Sequence, residues 1–338
     1  MKKILLILFA FSLMLSAKDY TKNPEVKIMI NSLVKKHGFK RAELEKNFST
    51  VHVQKNILKR FRPKVYKKRT SKEQARLRKL YPKYGAWDRY ARHVIKKERV
   101  AQGVRYIKRH QKTFEKAEKI YGVPKEYIAA IIGVESAFGK NVGKYPVFDT
   151  LTTLAFEKNR RSKFFKQELK KFLLLSKSEK FNPRNVYGSY AGAIGLVQFM
   201  PSNYSAYGVD FNHDGRITLQ RPEDAIASVG NYFKKHGWEK NEEVATRVSY
   251  KGIRFHQYQT GYTRLYHRRA LKDIEPKEQW NYHKPVRLIK LNRKNYDELW
   301  YGAHNFYVIT RYNHSAYYAM AVHQLAMKMK EELEKDEN

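Results

Sequence analysis

Glu135 occupies a position on the apolar face of a predicted helix. The helix is predicted from Pro124, which suits a first turn, to Gly139, which suits a helix end, with isoleucines at helical spacing between them. Glu135 follows those isoleucines by three, four and seven residues, so its carboxyl group shares their face in the last turn. Burial and the negative end of the helix dipole both raise the pKa of such a group. A carboxyl group that is protonated near neutral pH suits general acid catalysis, and a buried Glu–Arg ion pair is the structural alternative.

A second segment combines small residues with a side-chain amide. Five of the seven residues from Ser189 to Gly195 are serine, alanine or glycine, so the backbone can approach a ligand closely. Gln198 follows, and its amide both donates and accepts hydrogen bonds, which suits the hydroxyl and amide groups of a sugar. Tight packing between helices is the commoner use of small residues, so this segment alone does not establish a binding site.

Together the two segments resemble those of lytic transglycosylases with lysozyme-like folds. Glu135-Ser136, followed about sixty residues later by Gly195-Leu-Val-Gln198, is similar to the Glu-Ser and Gly-Leu-x-Gln motifs of that family. The closer resemblance is to the B-type, membrane-bound members of the family, and it extends from about Asn23 to Lys330. The motifs that carry it appear in the same order, at residues 131–136, 149–154, 159–161, 188–193, 198–202, 225–233 and 307–315.

The resemblance implies a reaction and a role for each matching residue. The reaction is cleavage of the β-1,4 bond between N-acetylmuramic acid and N-acetylglucosamine in peptidoglycan, with formation of 1,6-anhydromuramic acid and no catalytic cofactor. Glu135 matches the single catalytic acid/base, while Arg160 and Arg161 match a pair that contacts the peptide stems. The residues that match the lining of the saccharide groove are Ser189, Gln198, Tyr232, Tyr312, Asn313 and Tyr318.

Two other functions are compatible with the sequence. A hydrolytic muramidase would use the same groove but deliver water, and such enzymes usually need a second carboxyl group. Asp149 is the obvious second carboxylate, but the apolar residues after it make it a predicted helix N-cap. A non-catalytic protein that binds the cell wall or nucleic acid would explain a positive charge, but it would not require an acid on an apolar stripe.

A loop of oxygen-bearing side chains predicts a structural calcium ion. Such side chains stand at positions 1, 3 and 5 of a loop that begins at Asp210, with glycine at position 6. Position 12, where an EF-hand has glutamate, is Arg221, and the resemblance implies that this longer loop closes instead at Asp224. An Asx-rich turn without metal is the alternative. The ligands expected by this resemblance are Asp210, Asn212, Asp214, Arg216 (through its backbone carbonyl) and Asp224.

Composition and the first residues predict where the protein acts. The chain has 338 residues, no cysteine and a formal net charge of +37. The absence of cysteine excludes disulfides, cysteine nucleophiles and a lipid anchor on cysteine. Residues 1–17 have the basic start, apolar middle and small-residue end of a secretory signal. We therefore expect a periplasmic protein that is not a lipoprotein, either released or held by an uncleaved signal. In that location the positive charge of the protein is expected to attract an acidic cell-wall polymer rather than nucleic acid.

The expected fold is mainly α, an α+β protein with a small β element near its C-terminus. Strands are predicted within Lys284–Trp300 and at Asn305–Thr310, and a C-terminal helix is predicted with Ser315 as its N-cap. The basic stretch Lys55–Lys83 contains interspersed apolar residues, so ordered helices are expected there.

The expected partners are peptidoglycan strands with their stem peptides and proteins that build or remodel the wall, and the protein is expected to be a monomer. The predicted regions are a signal at 1–17, a basic helical region at 18–110, a lysozyme-like catalytic core with the calcium-type loop at 111–243, a β-containing subdomain with a groove-lining strand at 244–314, and a C-terminal helix at 315–338.

Overall fold

The computed structural model of the chain describes residues 17–62, 70–80, 85–252 and 254–337. The predicted signal at residues 1–17 therefore lies outside the described residues, except for its last residue. In the described ranges no helix is both long enough and apolar enough to cross a bilayer. The chain forms two compact units, and each is assembled from segments that are not consecutive in sequence. Of the described residues, the first unit comprises 17–62, 143–193 and 200–202, and the second comprises 70–80, 85–142, 194–199, 203–252 and 254–337.

Helices predominate, with small antiparallel sheets, as the sequence predicts. The helices are α1 (Pro24–His37), α2 (Arg41–Ser49), α3 (Lys55–Phe61), α4 (Ser71–Leu80), α5 (Ala86–Val94), α6 (Lys97–Arg109), α7 (Gln111–Tyr121), α8 (Lys125–Ser136), α9 (Val147–Phe156), α10 (Ser162–Ser178), α11 (Pro201–Tyr207), α12 (Pro222–Lys235), α13 (His304–Tyr312) and α14 (Ala316–Glu337). The strands are β1 (Ala17–Lys18), β2 (Val51–His52), β3 (Tyr145–Pro146), β4 (Tyr187–Gly188), β5 (Ala245–Tyr250), β6 (Ile274–Pro276), β7 (Arg287–Asn292) and β8 (Asp297–Gly302).

The first unit is built around α9, whose residues from Val147 to Ala155 are all buried. Helix α10 packs against it, and β1 pairs with β2 and β3 with β4. Helix α3 belongs to the basic stretch, and its Ile57 and Phe61 side chains are buried, which confirms the prediction of ordered helix for that part. Residues 63–69 and 81–83 of the stretch lie outside the described residues.

Asp149 is not the N-cap that the sequence predicts. It lies within the first turn of α9, and Pro146 occupies the N-cap position. The Asp149 side chain is 3% exposed, and its carboxylate accepts a hydrogen bond from the Arg184 guanidinium at 2.5 Å. Burial raises the pKa of Asp149, and the charge of Arg184 opposes that rise. An ion pair with a residue distant in sequence therefore determines the position of Asp149, and the local capping pattern does not detect such a partner.

Helix α8 is central to the second unit. All residues from Glu126 to Gly133 are buried, and α6, α7, α12 and α14 all contact the helix. It ends at Ser136 rather than at the predicted Gly139. Ala137 takes the left-handed conformation with φ of 50°, and its N–H bonds to the Gly133 carbonyl at 3.1 Å, so alanine closes a helix that glycine was expected to close.

The second unit also contains an antiparallel sheet with strand order β6-β5-β8-β7. Strands β7 and β8 confirm the predicted β element, and their register pairs Leu288 with Tyr301. Both of these side chains are buried in a separate apolar core beneath the sheet, together with Val248, Trp280 and Leu299. This element therefore has a small core of its own within the helical unit.

The predicted groove-lining strand at Asn305–Thr310 is wrong, because these residues form helix α13. The helix buries Asn305, Phe306, Val308 and Ile309, which is helical spacing. The Asn305 side chain also accepts the N–H of Glu239 at 2.9 Å and donates to the Glu239 carbonyl at 2.8 Å. These contacts outweigh the strand propensity of the β-branched residues.

The prediction for the next helix is confirmed, because the Ser315 hydroxyl accepts the N–H of Tyr318 at the start of α14. The bond has a length of 3.3 Å. It fixes the first turn of α14 as an N-cap does.

Candidate active site

Glu135 lies in the last turn of α8, as predicted, and its side chain is half-buried. One carboxylate oxygen accepts a hydrogen bond of 2.6 Å from the Tyr318 hydroxyl. Burial raises the pKa of Glu135 to about 7, and the bond from Tyr318 opposes part of that rise. Among the described residues no lysine, arginine or histidine forms an ion pair with Glu135, which removes the buried Glu–Arg alternative for the described part of the chain. The group is a partly accessible carboxyl that changes protonation near neutral pH.

Two stacked tyrosines lie next to this carboxyl group. Tyr318 is 3% exposed in the first turn of α14, and its ring lies 6.4 Å from that of Tyr312, nearly parallel to it. The Tyr312 hydroxyl donates to the backbone carbonyl of Val197 at 2.6 Å. Burial and the charge of Glu135 raise the pKa of both tyrosines well above its ordinary value. Both hydroxyl groups therefore remain protonated and act as hydrogen-bond donors.

Tyr90 on α5 also belongs to the surroundings of Glu135, although no sequence motif selects it. Burial and then the charge of Glu135 raise the pKa of Tyr90, so the two groups interact electrostatically. Its ring packs 5.9 Å from that of Tyr317. The one available signal was an aromatic residue close to the end of a basic stretch, and that pattern has no chemical specificity.

Gln198 presents one defined polar atom. It lies in the tight loop closed by the bridge between Ile194 and Phe199, and its own φ is 49°. The side-chain NH₂ group donates to the carbonyls of Val142 at 3.0 Å and Gly195 at 2.9 Å. Both N–H bonds are therefore used within the protein, and the amide oxygen is the atom left to accept a bond from a ligand.

Tyr232 and Asn313 belong to the same unit but differ in accessibility. Tyr232 is 4% exposed, donates to the Arg311 carbonyl at 2.6 Å and stacks on His236 with ring centres 4.0 Å apart. Asn313 directly follows α13 and is exposed. Tyr232 therefore supports the backbone that leads to Asn313, and Asn313 is the more accessible of these two predicted groove residues.

The other predicted substrate residues, Ser189, Arg160 and Arg161, belong to the first unit. The Ser189 hydroxyl accepts the backbone N–H groups of Ala191 at 3.2 Å and Ala193 at 3.0 Å, so it shapes the small-residue turn. Both arginines are exposed, and neither forms an ion pair with a carboxylate in the described ranges. Their guanidinium groups are therefore available to an external anion.

The calcium-type loop lies in the second unit and is organised by its own hydrogen bonds. The carboxylate of Asp210 accepts the backbone N–H groups of Asp214 at 3.2 Å and Gly215 at 2.9 Å. Fully buried Asp224 accepts two further loop amides, and the Arg221 guanidinium bonds to Asp214. Within the part of the chain that the structure describes, no three His, Asp or Glu side chains are gathered as a metal site. The donor set has the oxygen chemistry that calcium prefers, but a bound ion would have to displace some of these internal bonds.

These features give the second unit an acid whose pKa is near 7, a tyrosine that donates to it, and an amide oxygen with a fixed direction. Such a set can protonate a leaving oxygen and then accept a proton back. Tyr312, which is partly exposed, adds an aromatic side chain of the kind that can lie against a sugar ring.

Comparison with known proteins agrees with this chemistry. The chain matches the transglycosylase SLT domain family over residues 21–327. It is 39% identical over 311 residues to membrane-bound lytic murein transglycosylase B of Escherichia coli. The aligned region covers 91% of this chain and 83% of that protein. Two structures of the E. coli lytic transglycosylase SLT35, one in complex with bulgecin A and one in complex with calcium, each have a TM-score of 0.81 and 36% identity, covering 96% of this chain and 98% of theirs. The lysozyme-like fold that the sequence resemblance implies is confirmed, and the chain belongs to the transglycosylase SLT domain family of enzymes.

Proposed function

We propose that Glu135 is the only acid/base of this peptidoglycan lytic transglycosylase, which cleaves the β-1,4 bond between N-acetylmuramic acid and N-acetylglucosamine. The observation that carries the proposal is the half-buried Glu135 carboxyl group, whose pKa is raised to about 7 by burial and which accepts the Tyr318 hydroxyl at 2.6 Å. A group with that pKa can act both as an acid and as a base near neutral pH.

The reaction then needs two proton transfers through the same side chain. Glu135 first protonates the glycosidic oxygen, and the bond from that oxygen to C1 of the muramic residue breaks. The N-acetyl group of the same residue stabilises the positive charge that develops at C1. The Glu135 carboxylate next accepts the proton of the C6 hydroxyl, whose oxygen bonds to C1 and closes the 1,6-anhydro ring. No water is consumed.

The state of Asp149 supports this route over hydrolysis. An inverting or retaining hydrolase would use a second carboxylate as base or nucleophile. Asp149, the candidate that the sequence offers, is 3% exposed and bonded to Arg184 at 2.5 Å. A carboxylate engaged in that way is not free to activate a water molecule.

Substrate binding is proposed for the remaining residues that match the family. The residues proposed to line the saccharide groove are Gln198, Tyr232, Tyr312, Asn313 and Tyr318 of the second unit, and Ser189 of the first unit is proposed to bind saccharide because it matches the family in the same way. Arg160 and Arg161 bind carboxylates of the stem peptides, because a guanidinium group pairs with a carboxylate through two parallel hydrogen bonds. The exposure of both arginines and their lack of an ion pair within the described ranges support this role.

We also propose a structural calcium ion held by the Asp210–Asp224 loop. When bound, the ion would order the loop, and it takes no part in the reaction. The candidate ligands are Asp210, Asn212, Asp214, the carbonyl of Arg216 and Asp224. The oxygen donors of the loop and the calcium complex of SLT35 support the proposal. A periplasmic location is proposed from the signal pattern at residues 1–17.

Digestion of purified sacculi by Glu135→Gln tests the function. Glutamine keeps the shape but delivers no proton, and one positioned acid/base group contributes about 10²–10⁴-fold, so we expect at least that loss of anhydro-product release. Glu126→Gln is the matched control, because Glu126 is another poorly exposed glutamate of α8, and it should retain activity. Mass analysis of the products distinguishes the reactions: reducing ends, each one water heavier, would mean a muramidase, and retained activity would remove Glu135 from the mechanism.

A further inference from the structure

A pocket of about 600 Å³ lies beside the first turn of α8 in the second unit. A row of four aromatic side chains lines it. The ring of Tyr127 lies 5.2 Å from that of Trp238 and 6.1 Å from that of His323, and His323 lies 5.9 Å from Trp300. Tyr127 and Glu135 are eight residues apart on α8, which is about 12 Å along the helix axis. The pocket is therefore separate from the catalytic carboxyl group and large enough for a small ligand.

Two N–H groups in the aromatic row have no acceptor among the described residues. The Tyr127 hydroxyl bonds to Nδ1 of His323 at 2.8 Å, and burial lowers the pKa of His323 to about 4, so the imidazole is neutral at pH 7. When the tyrosine hydroxyl is the donor, the ring proton of His323 resides on Nε2. Neither that nitrogen nor the indole N–H of Trp238 has a hydrogen-bond partner in the described ranges, although His323 is 6% exposed and Trp238 8% exposed. Neither nitrogen is among the fully enclosed polar atoms without a partner in the described ranges, so each keeps some open surface, and a carbonyl oxygen is an acceptor that fits both.

Carboxylates are concentrated around the same pocket. Glu243, Glu278 and Glu331 line it, and none of them forms an ion pair with a residue that the structure describes. The charge of Glu243 contributes to the raised pKa of Tyr127, which indicates that this carboxylate lies close to the aromatic row. The chain as a whole has a net charge of +37, so three carboxylates without an ion pair make this pocket locally negative on a positively charged protein. They attract a cation, and the faces of the aromatic rings attract it further.

The positive side chains of the lining do not cancel this charge. Arg247 bonds to Glu298 at 3.0 Å, and Lys330 lies 3.7 Å from Glu334. Lys277 is then the one lining cation in the described ranges that forms no ion pair, against three carboxylates. The pocket therefore combines donors for a carbonyl oxygen with an excess of acceptors for an ammonium group.

We propose that this pocket is a second ligand site that binds a short peptide carrying a free primary amine. The N–H groups of His323 and Trp238 bond to a backbone carbonyl of the peptide. The ammonium group lies among the three free carboxylates, against the half-exposed ring of Trp300. The same carboxylates disfavour phosphorylated or strongly acidic ligands. The proposal concerns binding alone, and it does not depend on the chemistry proposed for Glu135.

Titration of the full chain with N-acetyl-lysine N-methylamide, followed by tryptophan fluorescence and by calorimetry, tests the proposal. This probe has backbone carbonyls and one primary ammonium group. Its Nε-acetylated form has a similar shape but no charge, and we expect it to bind at least tenfold more weakly. Glu243→Gln combined with Glu331→Gln should weaken binding of the amine probe at least tenfold. Glu43→Gln combined with Glu98→Gln makes the same charge change at exposed sites outside the pocket and should leave the binding unchanged.

Three results would overturn the proposal: no binding of the amine probe, equal binding of the two probes, or equal losses in the two double variants. All four glutamates are exposed, so the variants are expected to fold, and thermal melting verifies this for each preparation. Glu135→Gln should bind the probe like the unmodified chain. Failure of the proposed reaction and failure of this pocket are therefore separate outcomes.

Discussion

Two opposing interactions determine the protonation of Glu135. Burial raises its pKa, and the hydrogen bond from Tyr318 lowers it, because that bond stabilises the carboxylate. With a pKa of about 7, the protonated form that donates to the glycosidic oxygen is lost as the pH rises through neutrality. Activity should therefore decline on the alkaline side of pH 7. Burial contributes most to the position of that decline, and the bond from Tyr318 moves it to lower pH.

Tyr318→Phe should move this decline to higher pH. The substitution removes the bond that favours the carboxylate, so the pKa of Glu135 rises and the acid form persists to a higher pH. The measurement is kcat/KM for anhydro-product release between pH 5 and 9. Tyr312→Phe is the control, because the Tyr312 hydroxyl bonds to the Val197 carbonyl and not to Glu135. A decline that stays in place, or moves to lower pH, would contradict the role assigned to Tyr318.

Glu135→Gln should stabilise the protein at alkaline pH but not at acid pH. The folded-state pKa of about 7 is above the ordinary value of 4.5, so the folded state favours the protonated carboxyl. The stability of the unmodified protein should consequently fall as the pH rises from about 4.5 to 7, and glutamine abolishes that loss. A gain of about 1–3 kcal/mol in the free energy of unfolding is expected at pH 8, with little gain at pH 4.5. Denaturant unfolding at both pH values measures it, and a uniform change would indicate another cause.

Sequence could predict the acid but not all of its surroundings. The raised pKa of Glu135 followed from an apolar stripe and a helix end, which are local patterns. Tyr318 was identified through resemblance to a family, since nothing in its neighbourhood indicates a bond to a residue 183 positions away. Tyr90 was missed for the same reason, because its interaction with Glu135 arises from the packing of α5 and no motif encodes it.

At the scale of elements, two hydrogen bonds connect α8 to α14. Tyr127 near the start of α8 bonds to His323, and Glu135 near its end bonds to Tyr318. The order is reversed on α14, so the two helices are antiparallel. The bond between Tyr127 and His323 is buried, and it fixes the position of α14 along α8. That position is what brings the Tyr318 hydroxyl to Glu135.

Helix α13 shows why one element was predicted wrongly. Val308, Ile309 and Thr310 are β-branched and favour strands locally. The side chain of Asn305 finds its partners at Glu239, 66 residues away, and this contact supports the helix. The C-terminal helix was predicted correctly because its cap, Ser315, and its apolar spacing are both local. Sequence patterns thus identify elements whose causes lie within a few residues.

The calcium-type loop allows a prediction about one element. Calcium should raise the melting temperature of the protein without being needed for turnover, because the Asp210–Asp224 loop lies outside the catalytic motifs. Asp214→Ala should abolish the shift, since it removes a candidate ligand. Gln220→Ala is the control and should retain the shift, because it changes an exposed side chain of the same loop that is not a candidate ligand. Thermal melting with calcium and with a chelator measures it, and identical curves for the unmodified chain would mean an Asx turn without metal.

At the scale of the whole molecule, chain order and compact units do not coincide. The sequence suggested five consecutive regions, whereas the first unit combines the described residues 17–62 with residues 143–193 and 200–202. Such a grouping depends on which distant segments bury their apolar faces against each other, and a pattern within a single segment does not reveal it. The net charge of the whole molecule, in contrast, follows directly from composition. The chain has 69 basic and 32 acidic residues, and that excess does not depend on how the chain folds.

That charge predicts a binding to sacculi that weakens steeply as salt rises, because part of the affinity comes from a net charge of +37 facing stem carboxylates. At 0.15 M salt the electrostatic range is already about 8 Å, so direct contacts should persist while the general field is screened. Replacing Arg160 and Arg161 with alanine should therefore cost more affinity at 0.15 M salt than replacing the exposed Lys59 and Lys72, although both double variants remove two charges. Sedimentation of the variants with sacculi at several salt concentrations measures the difference. Equal losses at every concentration would mean that the two arginines contribute surface charge and make no direct contact with the stems.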